Sequence, residues 1–92
     1  MWVRSQDRKR LLEVDNICIK YTFTFAENEK NELYQIPTKF HIHAGEYELG
    51  TYSTEEKALK VLDVIQVFIK SMYVGNGEYM GYPFQIPKDD EV

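Results

Sequence analysis

The chain has 92 residues, a single cysteine and a formal net charge of -4 at pH 7. That length holds one hydrophobic core and not two, and one cysteine excludes an internal disulfide and a multi-cysteine zinc site. The acidic balance argues against a general nucleic-acid binder, which needs a basic surface.

A domain this short buries only about 60% of its extended-chain surface, so its stability margin is thin. The lone thiol, Cys18, suits a reducing compartment, as either a small strand residue or a reactive group. The first residues, Met-Trp-Val-Arg-Ser-Gln-Asp, contain no apolar run long enough for a signal peptide. Lys60, Asp63, Gln66 and Lys70 interrupt the most apolar stretch, Ala58 to Met72, which excludes a membrane span. A cytoplasmic location and no membrane partner are expected.

Trp2 to Gln6 reads as a short first strand, Asp7 to Arg10 as a turn, and Leu11 to Val14 as a second extended segment ending at Asp15-Asn16. From Ile17 the alternation is clean. Ile17, Ile19, Tyr21, Phe23 and Phe25 face one way, and Cys18, Lys20, Thr22 and Thr24 the other, which predicts a half-buried strand. Leu12 and Val14 are in the opposite phase, so a bulge or tight turn at Asp15-Asn16 is needed to bring both sets onto one face.

Glu27 to Glu32 is a polar, acidic loop. Phe40 to Thr51 reads as a hairpin with Gly45-Glu46 as a type II′ turn, so Gly45 takes positive φ. That register sets Ile42 beside Leu49, His43 beside Glu48 and His41 opposite Gly50. Ser53-Thr54-Glu55-Glu56 has the form of a capping box, with the Ser53 hydroxyl accepting from the first turn. The helix is expected from Thr54 to about Tyr73, with Gly75 as a stop signal. Ala58, Val61, Leu62, Ile65, Phe68, Ile69 and Met72 form its apolar stripe, with Ile65 and Phe68 buried. Leu59 and Val67 fall off that stripe. They are either scattered surface residues or a second packing surface such as a dimer contact. Pro83 to Pro87 reads as a short edge strand, and Lys88 to Val92 as a loose acidic tail.

The expected fold is therefore a single α+β domain over residues 1–92. A small antiparallel sheet of about four to five strands packs against one long helix, with a short C-terminal edge strand.

Charge is unevenly placed. Residues 1–12 carry Arg4, Arg8, Lys9 and Arg10 against Asp7, a net +3, which leaves -7 for the other eighty. All the arginines lie there. Their planar forks suit phosphate or carboxylate, so Arg4, Arg8 and Arg10 are either a ligand site or a solvated turn. Tyr73, Tyr79 and Tyr82, with Met80 and Phe84, crowd the segment after the helix, either to stack on a ligand or to cap the sheet.

Catalytic signatures are weak. Gly75, Gly77 and Gly81 follow a helix with the wrong spacing for a phosphate loop. His41, His43 and Glu48 share a hairpin face, either as an exposed metal site or, on the reading adopted, as a polar surface with a His–Glu pair. No carboxylate pair or nucleophile elbow stands out. A non-enzyme with no metal or other cofactor is expected.

Three stretches together resemble small uncharacterised proteins of phages, prophages and mobile elements of Gram-positive bacteria. They are Trp2 to Asp7, Leu49 to Ala58 running into Val61 to Gln66, and Phe84 to Asp90, about a third of the chain. The resemblance implies a setting, the host cytoplasm, and a class of role. Small phage accessory proteins often counter host defence by capturing a nucleotide signal or docking on a host effector. The expected function is a stoichiometric, self-associating binding protein of that kind. A nucleotide would use Arg4, Arg8, Arg10, Tyr79 and Tyr82, and a protein partner the acidic surface or the Leu59–Val67 pair. The alternatives are a regulatory or structural protein of phage growth and, third, a small enzyme of unrecognised type.

Overall fold

A computed structural model of the chain describes residues 1–72 and 83–92. In chain order the elements are β1 (Trp2–Arg4), β2 (Leu11–Glu13), β3 (Cys18–Glu27), β4 (Leu33–Ala44), β5 (Tyr47–Tyr52), α1 (Glu55–Met72), β6 (Phe84–Gln85) and a terminal 3-10 turn (Asp89–Glu91). The α+β class is as expected. The single antiparallel sheet is instead two three-stranded sheets, ordered β2-β1-β6 and β3-β4-β5. Two local causes divide them. Asp15-Asn16 turns the chain out of the first sheet, and β6, arriving after the helix, lies parallel to β1 with Phe84 beside Val3, as a crossover connection dictates. Leu12 and Val14 still reach the same core as Ile17 and Ile19.

Val3, Ile42, Leu49, Tyr52, Ala58, Val61, Ile65 and Ile86 are buried in that core. On α1 the buried stripe is narrower than the 3.6 period predicts. Ile65 is buried as expected, but Phe68 is half-buried with its ring 5.1 Å from that of Phe84, and Ile69 is exposed. The helix begins one residue later than the capping-box reading. Thr54 Oγ1 accepts the Lys57 N–H at 3.2 Å, while Ser53 turns to the C-terminal segment. Tyr73 and Gly75 lie outside the described residues. Among the described residues, no helix is long and apolar enough to cross a membrane.

The β4–β5 turn is the expected two-residue one, with Ala44 beside Tyr47, His43 beside Glu48 and Gly45 at φ 59°. Beyond it the register departs. Leu49 is an extra residue on β5, so Ile42 faces Gly50 and His41 faces Thr51. The bulge buries Leu49 and aims its carbonyl at β1, where it accepts the Gln6 N–H at 2.7 Å. Gln6 then joins the sheets with its side chain. Nε2 donates to Thr51 O (3.0 Å) and Pro87 O (3.1 Å), and Oε1 accepts from Thr51 N (3.0 Å). Tyr52 adds a hydroxyl bond to Pro87 O at 2.6 Å, and burial raises its phenol pKa well above the ordinary value.

The tail is anchored, not loose. Asp89 Oδ1 accepts from Ser53 N (2.8 Å) and Oγ (3.0 Å), and Lys57 Nζ donates to Asp89 O at 2.8 Å. Those Ser53 bonds hold the Asp89 carboxyl below its usual range. Acidic residues here serve as acceptors, which charge counting alone reads as solvated.

Gly50 sits where this closure is tightest. A Cβ there would lie 2.9 Å from Ile86 Cγ2 and 3.2 Å from Gln6 Cβ. Gly50→Ala is expected to cost about 1–3 kcal/mol, as overpacking of a filled core does, and urea denaturation measures it. An unchanged midpoint would mean that the contact relaxes.

Candidate functional site

The three arginines singled out for ligand binding do not line one cleft. The turn after β1 is closed by its own bonds. Ser5 Oγ donates to Asp7 Oδ1 at 2.6 Å and accepts from Arg10 N at 3.1 Å, and Lys9 N donates to Asp7 Oδ1 at 3.0 Å. The Ser5 hydroxyl, then the Lys9 N–H, hold the Asp7 carboxyl below its usual range. Arg8 takes positive φ, 66°, at the bend. Arg4, Arg8 and Arg10 are all exposed. Arg10 lines a shallow cleft of about 360 Å³ together with Ser5, Gln6, Asp7, Glu48 and Thr51, whereas Arg4 and Arg8 are not part of it. Two carboxylates therefore share that cleft with one guanidinium, a poor setting for a phosphate. Tyr79 and Tyr82 lie outside the described residues.

Glu48 pairs with His41 rather than with His43. His41 Nδ1 contacts the Glu48 carboxylate and lies 2.9 Å from Thr51 Oγ1, and Nε2 lies 2.6 Å from Thr22 Oγ1. The extra residue at Leu49 explains the exchange, since it brings Glu48 and Thr51 onto one face. Thr51, opposite His41, donates to Glu48 Oε1 at 2.9 Å and draws that side chain across. The His43 ring stands edge-on to His41 at 6.1 Å, with a buried Nδ1 that has no hydrogen-bond partner among the described residues. A hydroxyl, an imidazole and a carboxylate in line have the outline of a nucleophilic triad. Here the side chains lie on three paired strands, and the network ties β3, β4 and β5 together. Among the described residues, no three His, Cys, Asp or Glu side chains are placed to hold a metal ion.

The largest departure from expectation is β3. Only its start meets the core. Tyr21 is 41% exposed, Phe23 49% and Phe25 70%. With β4 it forms an arm that leaves the body beyond Phe40, and the molecule measures 61 × 25 × 24 Å. The cause is a length mismatch. Twelve residues of β4 span about 40 Å, while eighteen residues of α1 span about 27 Å. β5 also stops at Tyr52, opposite Phe40. Pro37 is tolerated because that stretch of β4 lies beyond the end of β5 and needs no N–H on that side.

A bulge at Thr38 sets Phe23 opposite Pro37 and Phe25 opposite Gln35. One arm face therefore carries Tyr21, Phe23, Phe25, Leu33 and Pro37, and the other Tyr34 and Ile36. At the tip, Asn28 Oδ1 accepts from Lys30 N and Glu32 N, both at 2.9 Å, and Asn31 takes φ 61°. These side-chain turns fix the end of the arm. Elsewhere, Leu59 and Val67 are exposed on α1 as the stripe predicts, joined by Val64.

Sequence reading placed the aromatics of β3 on one face of a half-buried strand, and beyond Ile19 that face is exposed. The missed signal was that, among the described residues, no second element is long enough to cover them. No protein-family model matches the chain, and neither a curated protein nor a solved structure is significantly similar to it.

Proposed function

We propose that the protein is a non-enzymatic accessory module that docks on another protein, a host effector in the phage setting its sequence suggests, through the β3–β4 arm. One observation carries the reading: the arm presents Tyr21, Phe23, Phe25 and Leu33 to solvent on one face. Exposed apolar surface of that extent on a small chain favours a partner, and aromatic side chains dominate binding energy at protein interfaces. A fixed tip and a paired ladder preorganise the arm, which reduces the ordering cost of docking. A cleft that holds one arginine of the three, with two carboxylates beside it, favours this reading over a nucleotide ligand.

Cross-linking in a bacterial host followed by mass spectrometry tests this. The wild type is expected to capture a reproducible host protein, and a Phe25→Ser, Leu33→Ser double variant of equal thermal stability is expected to lose it. Equal capture by both would refute docking through the arm. A nucleotide that raises the wild-type Tm but not that of Arg10→Ala would return the function to the cleft.

A further inference from the structure

The strand β3 is at the edge of its sheet, with β4 on one side and, among the described residues, nothing on the other. Natural edge strands are blunted by proline, bulges or charge. From Tyr21 to Ala26, β3 has none of these, since the extra residue of the bulge, Thr38, belongs to β4. It is an open row of backbone donors and acceptors along an arm that, among the described residues, no other element covers.

Its sequence is also symmetric. Tyr21-Thr22-Phe23-Thr24-Phe25 reads aromatic, threonine, phenylalanine, threonine, aromatic in both directions. An antiparallel pair of identical strands is related by a two-fold axis perpendicular to the sheet, and facing residues then have numbers of equal parity and share a face. With the axis at Phe23, Phe23 faces Phe23 of the second copy, Thr22 faces Thr24, and Tyr21 faces Phe25. Every pair is a favourable cross-strand type: aromatic with aromatic, or threonine with threonine. An axis at Thr24 would set Tyr21 against Glu27. An axis at Thr22 would require Ile19, already packed against the core, to take Phe25. Of these three, the Phe23 axis alone matches aromatic with aromatic and threonine with threonine at every position from Tyr21 to Phe25.

We infer that two copies of this chain pair through the edges of β3, antiparallel and centred on Phe23, to form one continuous six-stranded sheet. The occupant of the edge is a second copy because the strand is its own complement. This concerns the strand's edge, whereas docking on a host protein concerns its face. Either can fail without the other.

Charge exchange at the axis tests the register. Phe23 is half exposed, so Phe23→Lys and Phe23→Glu are expected to fold. In sedimentation at micromolar concentration the wild type is expected to run as a dimer. Each single variant is expected to run as a monomer, because like charges meet across the axis. An equal mixture of the two is expected to recover the dimer, because an ammonium on one copy then faces a carboxylate on the other. Independently, Phe23→Cys in a Cys18→Ser background is expected to oxidise to a covalent dimer, since facing Cα atoms about 4.5–5.5 Å apart fall within disulfide range. A monomeric wild type, single variants that stay dimeric, or a mixture that stays monomeric overturns the inference. If host capture is lost in the Phe25, Leu33 variant while the mixture fails to pair, docking stands and pairing falls.

Discussion

Ile65→Ala is expected to destabilise the domain by about 2–5 kcal/mol, the range for emptying a packed aliphatic site. The side chain is 4% exposed and belongs to the core with Ala58 and Val61 of the same helix. Small domains have about 5–15 kcal/mol in total, so the variant is expected to be close to unfolded at body temperature. Two companions give the result its meaning. Leu62→Ala, from the half-buried flank of the stripe, should cost less. Val67→Ala, 66% exposed, should fall within about 0.5 kcal/mol of the wild type, as substitutions on an open surface do. Chemical denaturation of the three ranks them, and equal costs at positions 65 and 67 would show that the helix does not pack by this face.

Gln6→Ala is expected to have a comparable effect for a different reason. The substitution removes three hydrogen bonds, two donated and one accepted, that join β5, β1 and the C-terminal segment. Each is worth about 0.5–1.5 kcal/mol, and a buried partner left unpaired costs more than the bond contributed. A total of about 2–4 kcal/mol follows from those values. The loss should concentrate at Thr51, because Pro87 O keeps its bond from Tyr52. Gln6→Glu separates the terms. It retains an acceptor for Thr51 N but offers no donor to either carbonyl. Amide hydrogen exchange at Thr51 is the direct readout. Protection unchanged in Gln6→Ala would show that the amide is not a staple.

What the sequence reveals is largely what short-range geometry determines. The helix shows in the 3.6 spacing of Ala58, Val61 and Ile65, and the β4–β5 turn in Gly45. The single-residue bulges do not show. Thr38 shifts the phase of β4, so Leu33, Gln35 and Pro37 share a face with Phe40 and Ile42 although their numbers differ in parity. Leu49 does the same to β5 and redirects Glu48 from His43 to His41. Arg4, Arg8 and Arg10 are neighbours in sequence, yet only Arg10 lines the cleft beside the Asp7 turn. Clustering along the chain predicted a charge, and the closed turn left one arginine of the three at the cleft, beside two carboxylates. The arm was visible as a pattern of aromatics. Its exposure depends on the relative lengths of β4 and α1, which alternation within one strand does not report.

The parallel pairing of β1 with β6 bears on how the chain acquires its structure. Gln6 and Pro87 meet although they are 81 positions apart, and Val3 meets Phe84. The arm closes on its own from neighbouring residues, on the microsecond scale of hairpins. The body must instead close a loop of nearly the whole chain before its longest-range contacts form, and such topologies fold slowly. On the ribosome, β1 emerges about eighty residues before its partner β6. In that interval the aromatic hairpin is already complete and open to solvent, beside other nascent copies of itself.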